Sequence, residues 1–233
     1  LATLPLAFGS LFKKAYGQAT PSSVLDVLNY ALTLEYLEAE FYKMGVAANG
    51  LIPAADRPGI VSIRDHENAH VAFLRTAIQG AGGTPVSKPT FDFTAGGTYG
   101  NVFTNYDTFL AVSQAFEDTG VRAYKGQAAN LMSNKDVLTA ALNIHSVEAR
   151  HAAHIRRVRA TRGAAVKPWI IGKDTGGIPS VQAVYNGEEV TVQAGVEITN
   201  INGFSISANA ASESFDEPLT SEQVLAIVRP FIQ

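Results

Sequence analysis

No cysteine occurs among the 233 residues. That excludes disulfides, thiolate zinc sites, iron–sulfur clusters and thiol nucleophiles together, and it fits an oxidising compartment as well as a reducing one. A dominant charge is also missing, since 18 basic residues face 21 acidic ones for a net charge of −3. With no Lys/Arg-rich run either, nothing in the electrostatics calls for nucleic acid or an anionic membrane as partner. No apolar run reaches the roughly 18 residues a membrane-crossing helix needs. A serine elbow is absent too, which leaves a serine peptidase with little support.

Apolar residues make up 46% of the chain, enough for a full core in one domain or in one domain plus an appendage. Four long segments carry helical periodicity. The first spans about Ser23 to Ala48, with Ser23 and Asp26 in capping-box positions and Asn49-Gly50 as its stop. The second spans about Asp56 to Gln79, the third about Tyr106 to Met132, and the fourth runs from Ser133, with Asp136 three residues on, to near Arg162-Gly163. Short turns join the first to the second and the third to the fourth, so each pair is antiparallel. About two dozen residues rich in Gly, Pro and Thr, from Gly80 to Asn105, separate the pairs, long enough to cross the length of a bundle.

The flanks differ from this core. Leu1 to Phe12 is apolar and runs into small residues, as the later part of an export signal does, and it predicts a periplasmic or other extracytoplasmic location. The bland alternative is a short arm docked on the bundle. Beyond Trp169 the pattern alternates. Ser180–Tyr185 and Glu189–Gln193 around Asn186-Gly187 predict a hairpin, and Val196–Thr199 and Phe204–Ser207 predict a second around Asn202-Gly203. A last helix is expected over Ser221 to Val228, capped by Thr220 and Gln223. The expected organisation is an arm over residues 1–22, an antiparallel four-helix bundle over 23–163, and a β-rich appendage with a short helix over 164–233.

The chemistry lies in the bundle. Helices two and four each contain Glu-x-x-His, as Glu67-Asn68-Ala69-His70 and Glu148-Ala149-Arg150-His151. Side chains at i and i+3 share a helix face about 5–6 Å apart, so each pair can hold one metal ion. Upstream stand two lone carboxylates, Glu35 at 32 residues before Glu67 and Glu117 at 31 before Glu148. In an antiparallel hairpin that spacing brings each level with the pair on its neighbour. Tyr42 and Tyr124 follow the lone carboxylates by seven residues each, on the same faces. Four carboxylates and two imidazoles suit two divalent ions, iron or manganese, with carboxylates able to bridge them.

Some neighbours compete for these roles. Glu38 shares the face of Glu35 and could replace or support it, but the matching tyrosine offset favours Glu35. His145 and His154 extend the fourth-helix ladder and read more simply as supporting or surface groups. His66 is expected to point away, and Asp65 could orient an imidazole. Tyr42 and Tyr124 read as core tyrosines with satisfied hydroxyls, and Gly120, mid-helix, as room for an exogenous ligand or as close packing.

This doubled pattern resembles the ferritin-like di-metal carboxylate superfamily. With LEYLEAEFY over residues 34–42 it also resembles exported bacterial ferritin-like-domain proteins, and Ser214-Phe215-Asp216-Glu217-Pro218-Leu219 is similar to that narrower group. The resemblance covers about Ser23 to Arg162. It implies a ferritin-like bundle whose metal ligands are Glu35, Glu67, His70, Glu117, Glu148 and His151. It also implies redox chemistry on dioxygen, peroxide or ferrous iron, of ferroxidase, oxidase or catalase-like type, and it leaves a homo-oligomer open. The alternative is a non-catalytic scaffold or stress-related envelope protein.

Overall fold

The computed structural model describes residues 23–233. The expected arm or export segment at 1–22 lies outside them. Among the described residues no helix is long and apolar enough to cross a membrane.

Four long helices form the core: α1 (Val24–Ala47), α2 (Arg57–Gly80), α3 (Tyr106–Gln127) and α4 (Lys135–Thr161). α1 opens on the expected capping box, with the Ser23 hydroxyl accepting from the Asp26 amide and the Asp26 carboxylate accepting from Ser23. α4 departs from expectation, because Asn134 rather than Ser133 is its cap, its side chain accepting from the Val137 amide. α3 stops earlier than its periodicity suggests and tightens into a 3₁₀ turn over Ala128–Leu131. α1 packs along α2, and α3 along α4, as two antiparallel hairpins.

The crossover between α2 and α3 anchors through aromatic rings. Phe41 of α1 lies stacked 4.9 Å from Phe109 and edge-on at 5.3 Å and 5.1 Å from Phe93 and Phe116. These rings fill one end of the bundle, where offset and edge-on pairs add about 0.5–1.5 kcal/mol each beyond area burial.

The region after α4 carries helices α5 (Gln182–Tyr185), α6 (Ala208–Ser212) and α7 (Ser221–Val228). It also carries two small antiparallel ladders, β1 (Val192–Gln193) with β2 (Val196–Glu197) and β3 (Asn200–Ile201) with β4 (Phe204–Ser205). The turn at Asn202-Gly203 forms as expected. The hairpin expected at Asn186-Gly187 does not. Val181, Val184 and Tyr185 are all buried at helical spacing, and Gly187 at φ 95° after an extended Asn186 makes a type II turn that ends α5. α7 has the expected Thr220–Gln223 capping box.

This tail is docked through buried polar groups of the bundle. Arg122 of α3, 1% exposed, donates to the carbonyls of Glu217 (2.7 Å), Val184 and Asn186 (3.0 Å), and its Nε lies 2.8 Å from Glu188. Arg156 of α4 forks onto Asp118 at 3.1 and 2.6 Å, and Asp118 also accepts from the Tyr185 hydroxyl at 2.7 Å. Gly126 lets the chain approach closely, since a Cβ there would clash with the Leu219 carbonyl oxygen. Removing one partner of a buried pair leaves the other charge stranded, at about 3–5 kcal/mol. Arg122→Met is therefore expected to destabilise the protein by about that much, read from urea denaturation, and to expose the tail to proteolysis ahead of the bundle.

Candidate metal centre

All four expected carboxylates, Glu35 of α1, Glu67 of α2, Glu117 of α3 and Glu148 of α4, are 0% exposed. They converge mid-bundle with His70 and His151. The donor atoms fall into two overlapping groups, each within 4.8 Å: Glu35, Glu67, His70 and Glu148 in one, and Glu67, Glu117, Glu148 and His151 in the other. Glu67 and Glu148 belong to both.

The oxygens are divided accordingly. His70 Nδ1 lies 3.1 Å from Glu35 Oε2, 3.4 Å from Glu67 Oε2 and 3.1 Å from Glu148 Oε1. His151 Nδ1 lies 2.8 Å from Glu67 Oε1, 3.3 Å from Glu117 Oε2 and 3.5 Å from Glu148 Oε2. Each shared carboxylate thus turns one oxygen to each histidine, the placement a bridging carboxylate needs. Both oxygens of Glu67 and Glu148, Glu117 Oε2 and His151 Nδ1 are buried without a hydrogen bond of good geometry among the described residues. Orphaned polar atoms of this kind are rare in folded proteins, and bound cations would satisfy them. The donor set fits two divalent cations.

The electrostatics agree. Burial alone would push the His70 ring down, yet contacts with Glu148, Glu35 and Glu67 carry it up to about 12. Burial opposes charge on His151 as well, and Glu117, Glu148 and Glu67 hold it far above the usual imidazole range. Glu67 is driven well up by burial and then by Glu148, and Glu117 goes up to about 7 through burial, partly offset by His151. Glu148 goes down to about 2 because the two imidazoles outweigh its burial. Without metal, protons and imidazolium charge neutralise the cluster.

Supporting groups hold the outer sides of these carboxylates and imidazoles. Tyr42 of α1 donates to Glu117 Oε1 at 2.5 Å, and Tyr124 of α3 donates to Glu35 Oε1. Both hydroxyls are satisfied as expected, but each serves the carboxylate of the opposite helix pair. His66, expected to point away, instead stacks on His151 with ring centroids 5.2 Å apart, its Nδ1 2.9 Å from His151 Nε2. With the carboxylates facing His151 Nδ1, that contact fixes the ring from behind. The signal was present, because His66 precedes His70 by one i, i+4 step. Asp65 does not support an imidazole; it pairs with Arg64 at the surface. His145 contacts the Val121 carbonyl at 2.9 Å, and His154 sits against Gly59, so neither joins the cluster. Glu38 is buried beside it but belongs to neither donor group.

Glu117 gives a test of the charge reading. A carboxyl raised from 4.5 to about 7 contributes stability while protonated, below pH 4.5, and loses it as pH rises through 7. At pH 8 the metal-free protein thus carries a penalty of about 3 kcal/mol at this group. Glu117→Gln is expected to raise urea stability at pH 8 in the presence of a chelator, to have little effect at pH 4, and to weaken stabilisation by added metal.

Residues 23–161 match the family described as the ferritin-like domain. A search of curated proteins gives no match. The match covers all four long helices and every residue of the carboxylate–histidine cluster. The chain belongs to the ferritin-like domain family.

Proposed function

We propose that Glu35, Glu67, His70, Glu117, Glu148 and His151 bind two divalent ions, iron or manganese, and that the centre performs redox chemistry with dioxygen or peroxide. The observation that carries this reading is the division of Glu67 and Glu148 between two donor groups, each with its own terminal carboxylate and imidazole. Hard carboxylate oxygens with one imidazole per ion suit iron and manganese, whereas the absence of thiolates disfavours the softer metals. Two such ions would supply electrons in pairs to a small oxidant.

The chain's own residues set the conditions. Four carboxylates offset the cationic charge. Tyr42 and Tyr124 hold Glu117 and Glu35 by their outer oxygens, so the inner ones stay aimed at the centre. His66 orients His151. Buried Leu34, Leu37 and Phe116 exclude water from the α1–α3 side. His70 and His151 must release protons before their Nδ1 atoms can act as donors, so metal affinity is expected to rise with pH and loading to release protons.

Metal analysis is the direct test. Two ions per chain are expected for the parent protein. Glu35→Ala, which belongs to one group, should retain about one, and Glu67→Ala, which belongs to both, should retain little. Aerobic ferrous oxidation and peroxide decay should follow the same order. Metal content far below two per chain that Glu67→Ala leaves unchanged would sink the reading.

A further inference from the structure

The two sides of the centre differ in chemistry. On the α2–α4 side lie polar donors, the exposed His66 and the His70 side chain at 12% exposure. On the α1–α3 side lies Gly120, placed where helix propensity disfavours glycine by about 1 kcal/mol. A Cβ there would stand 3.2 Å from Glu38 Oε1 and 3.6 Å from Glu148 Oε2. The missing side chain leaves space directly against a shared carboxylate. A cavity of about 10 Å³, bounded by Leu34, Leu37, Glu38, Phe116, Gly120 and Val228 among others, opens at this point. That is about the size of one water-sized molecule.

A second cavity, of about 310 Å³, lies on the other side of Phe116 beneath α7, with Val112, Ala115, Val184, Ile227 and Phe231 in its wall. Phe116 is common to both cavities, and α7 covers both, through Ile227 over the larger and Val228 over the smaller. No Asp, Glu, Lys, Arg or His lines the larger one. Its Tyr99 and Ser180 hydroxyls are bonded to each other at 2.9 Å.

We infer that the cavity beneath α7 is the route by which dioxygen reaches the carboxylate–histidine centre, with Phe116 as the partition and the space at Gly120 as its end. The inference rests on the redox reading of the centre. A divalent cation would have to shed water along this path and would meet no carboxylate or imidazole until Glu38. Peroxide, with two hydroxyl groups, would lose hydrogen bonds in the same lining. A neutral apolar diatomic loses nothing there. Phe116 is the wall the two spaces share, so displacement of its ring is the motion that would join them. Cations have the His66–His70 side instead.

Ala226 and Ala183 are exposed residues lining the larger cavity, away from the ligands, so Ala226→Trp and Ala183→Trp fill it while sparing the core. Xenon, an apolar gas that reports cavities without any reaction, is expected in a pressurised crystal beside Phe116 and absent from that place in both variants. In stopped-flow mixing of ferrous-loaded full-length protein with dioxygen, the bimolecular rate constant should fall at least fivefold in each variant, with anaerobic metal content unchanged. Absence of xenon beside Phe116, or variant rates equal to the parent's, overturns the route alone. A parent inert to both dioxygen and peroxide overturns the redox reading and the route with it, and one that reacts with peroxide but not with dioxygen overturns the route alone. Using both tryptophans guards against a local disturbance of α7 in one of them.

Discussion

Four carboxyl groups with no exposure to water sit within a few ångströms of one another, and their mutual repulsion governs the rest of the structure. Buried anions without counter-charge are not tolerated. Here the two imidazoles, held in the charged form far above their usual range, and the protons kept by Glu67 and Glu117 do the neutralising. Divalent ions would replace those protons. The same requirement explains why the surrounding positions are so heavily committed, with a tyrosine on the outer oxygen of each terminal carboxylate and a third histidine behind His151.

α3 carries two different loads on opposite sides. Glu117 points inward to the centre, while its neighbour Asp118 and, one turn on, Arg122 point outward to the tail. The region after α4 is thus tied to the helix that carries a terminal carboxylate, and its last helix closes the α1–α3 seam over Phe116. Burial of Arg122 and Arg156 with full sets of acceptors fixes where the tail sits, even if such pairs add little net stability over apolar packing.

Much of this was legible in the sequence, and the reasons are local. The i, i+3 rule places Glu67 with His70 and Glu148 with His151, and equal spacing to Glu35 and Glu117 follows from hairpins of equal length. Capping chemistry marks α1 and α7 to the residue. What was not legible depends on rotations between helices. The seven-residue offset puts Tyr42 on the face of Glu35 but does not say that its hydroxyl reaches Glu117. Arg122 reads like any helical arginine until the tail folds over it. Asn186-Gly187 suggested a hairpin because alternation over six residues resembles a strand, whereas burial of Val181, Val184 and Tyr185 follows the helical period. Pro179, which opens that turn of helix, was the available hint.

The exchanged tyrosines have a mechanical consequence. Tyr42 leaves one hairpin to hold a carboxylate of the other, and Tyr124 does the same in the opposite direction across that interface. Sliding α1 against α3 by a single turn, about 5.4 Å, would unhook both hydroxyls at once and misalign both terminal carboxylates. The two halves therefore act as mutual gauges of alignment. Neither can assemble its half of the centre correctly while the other is out of step.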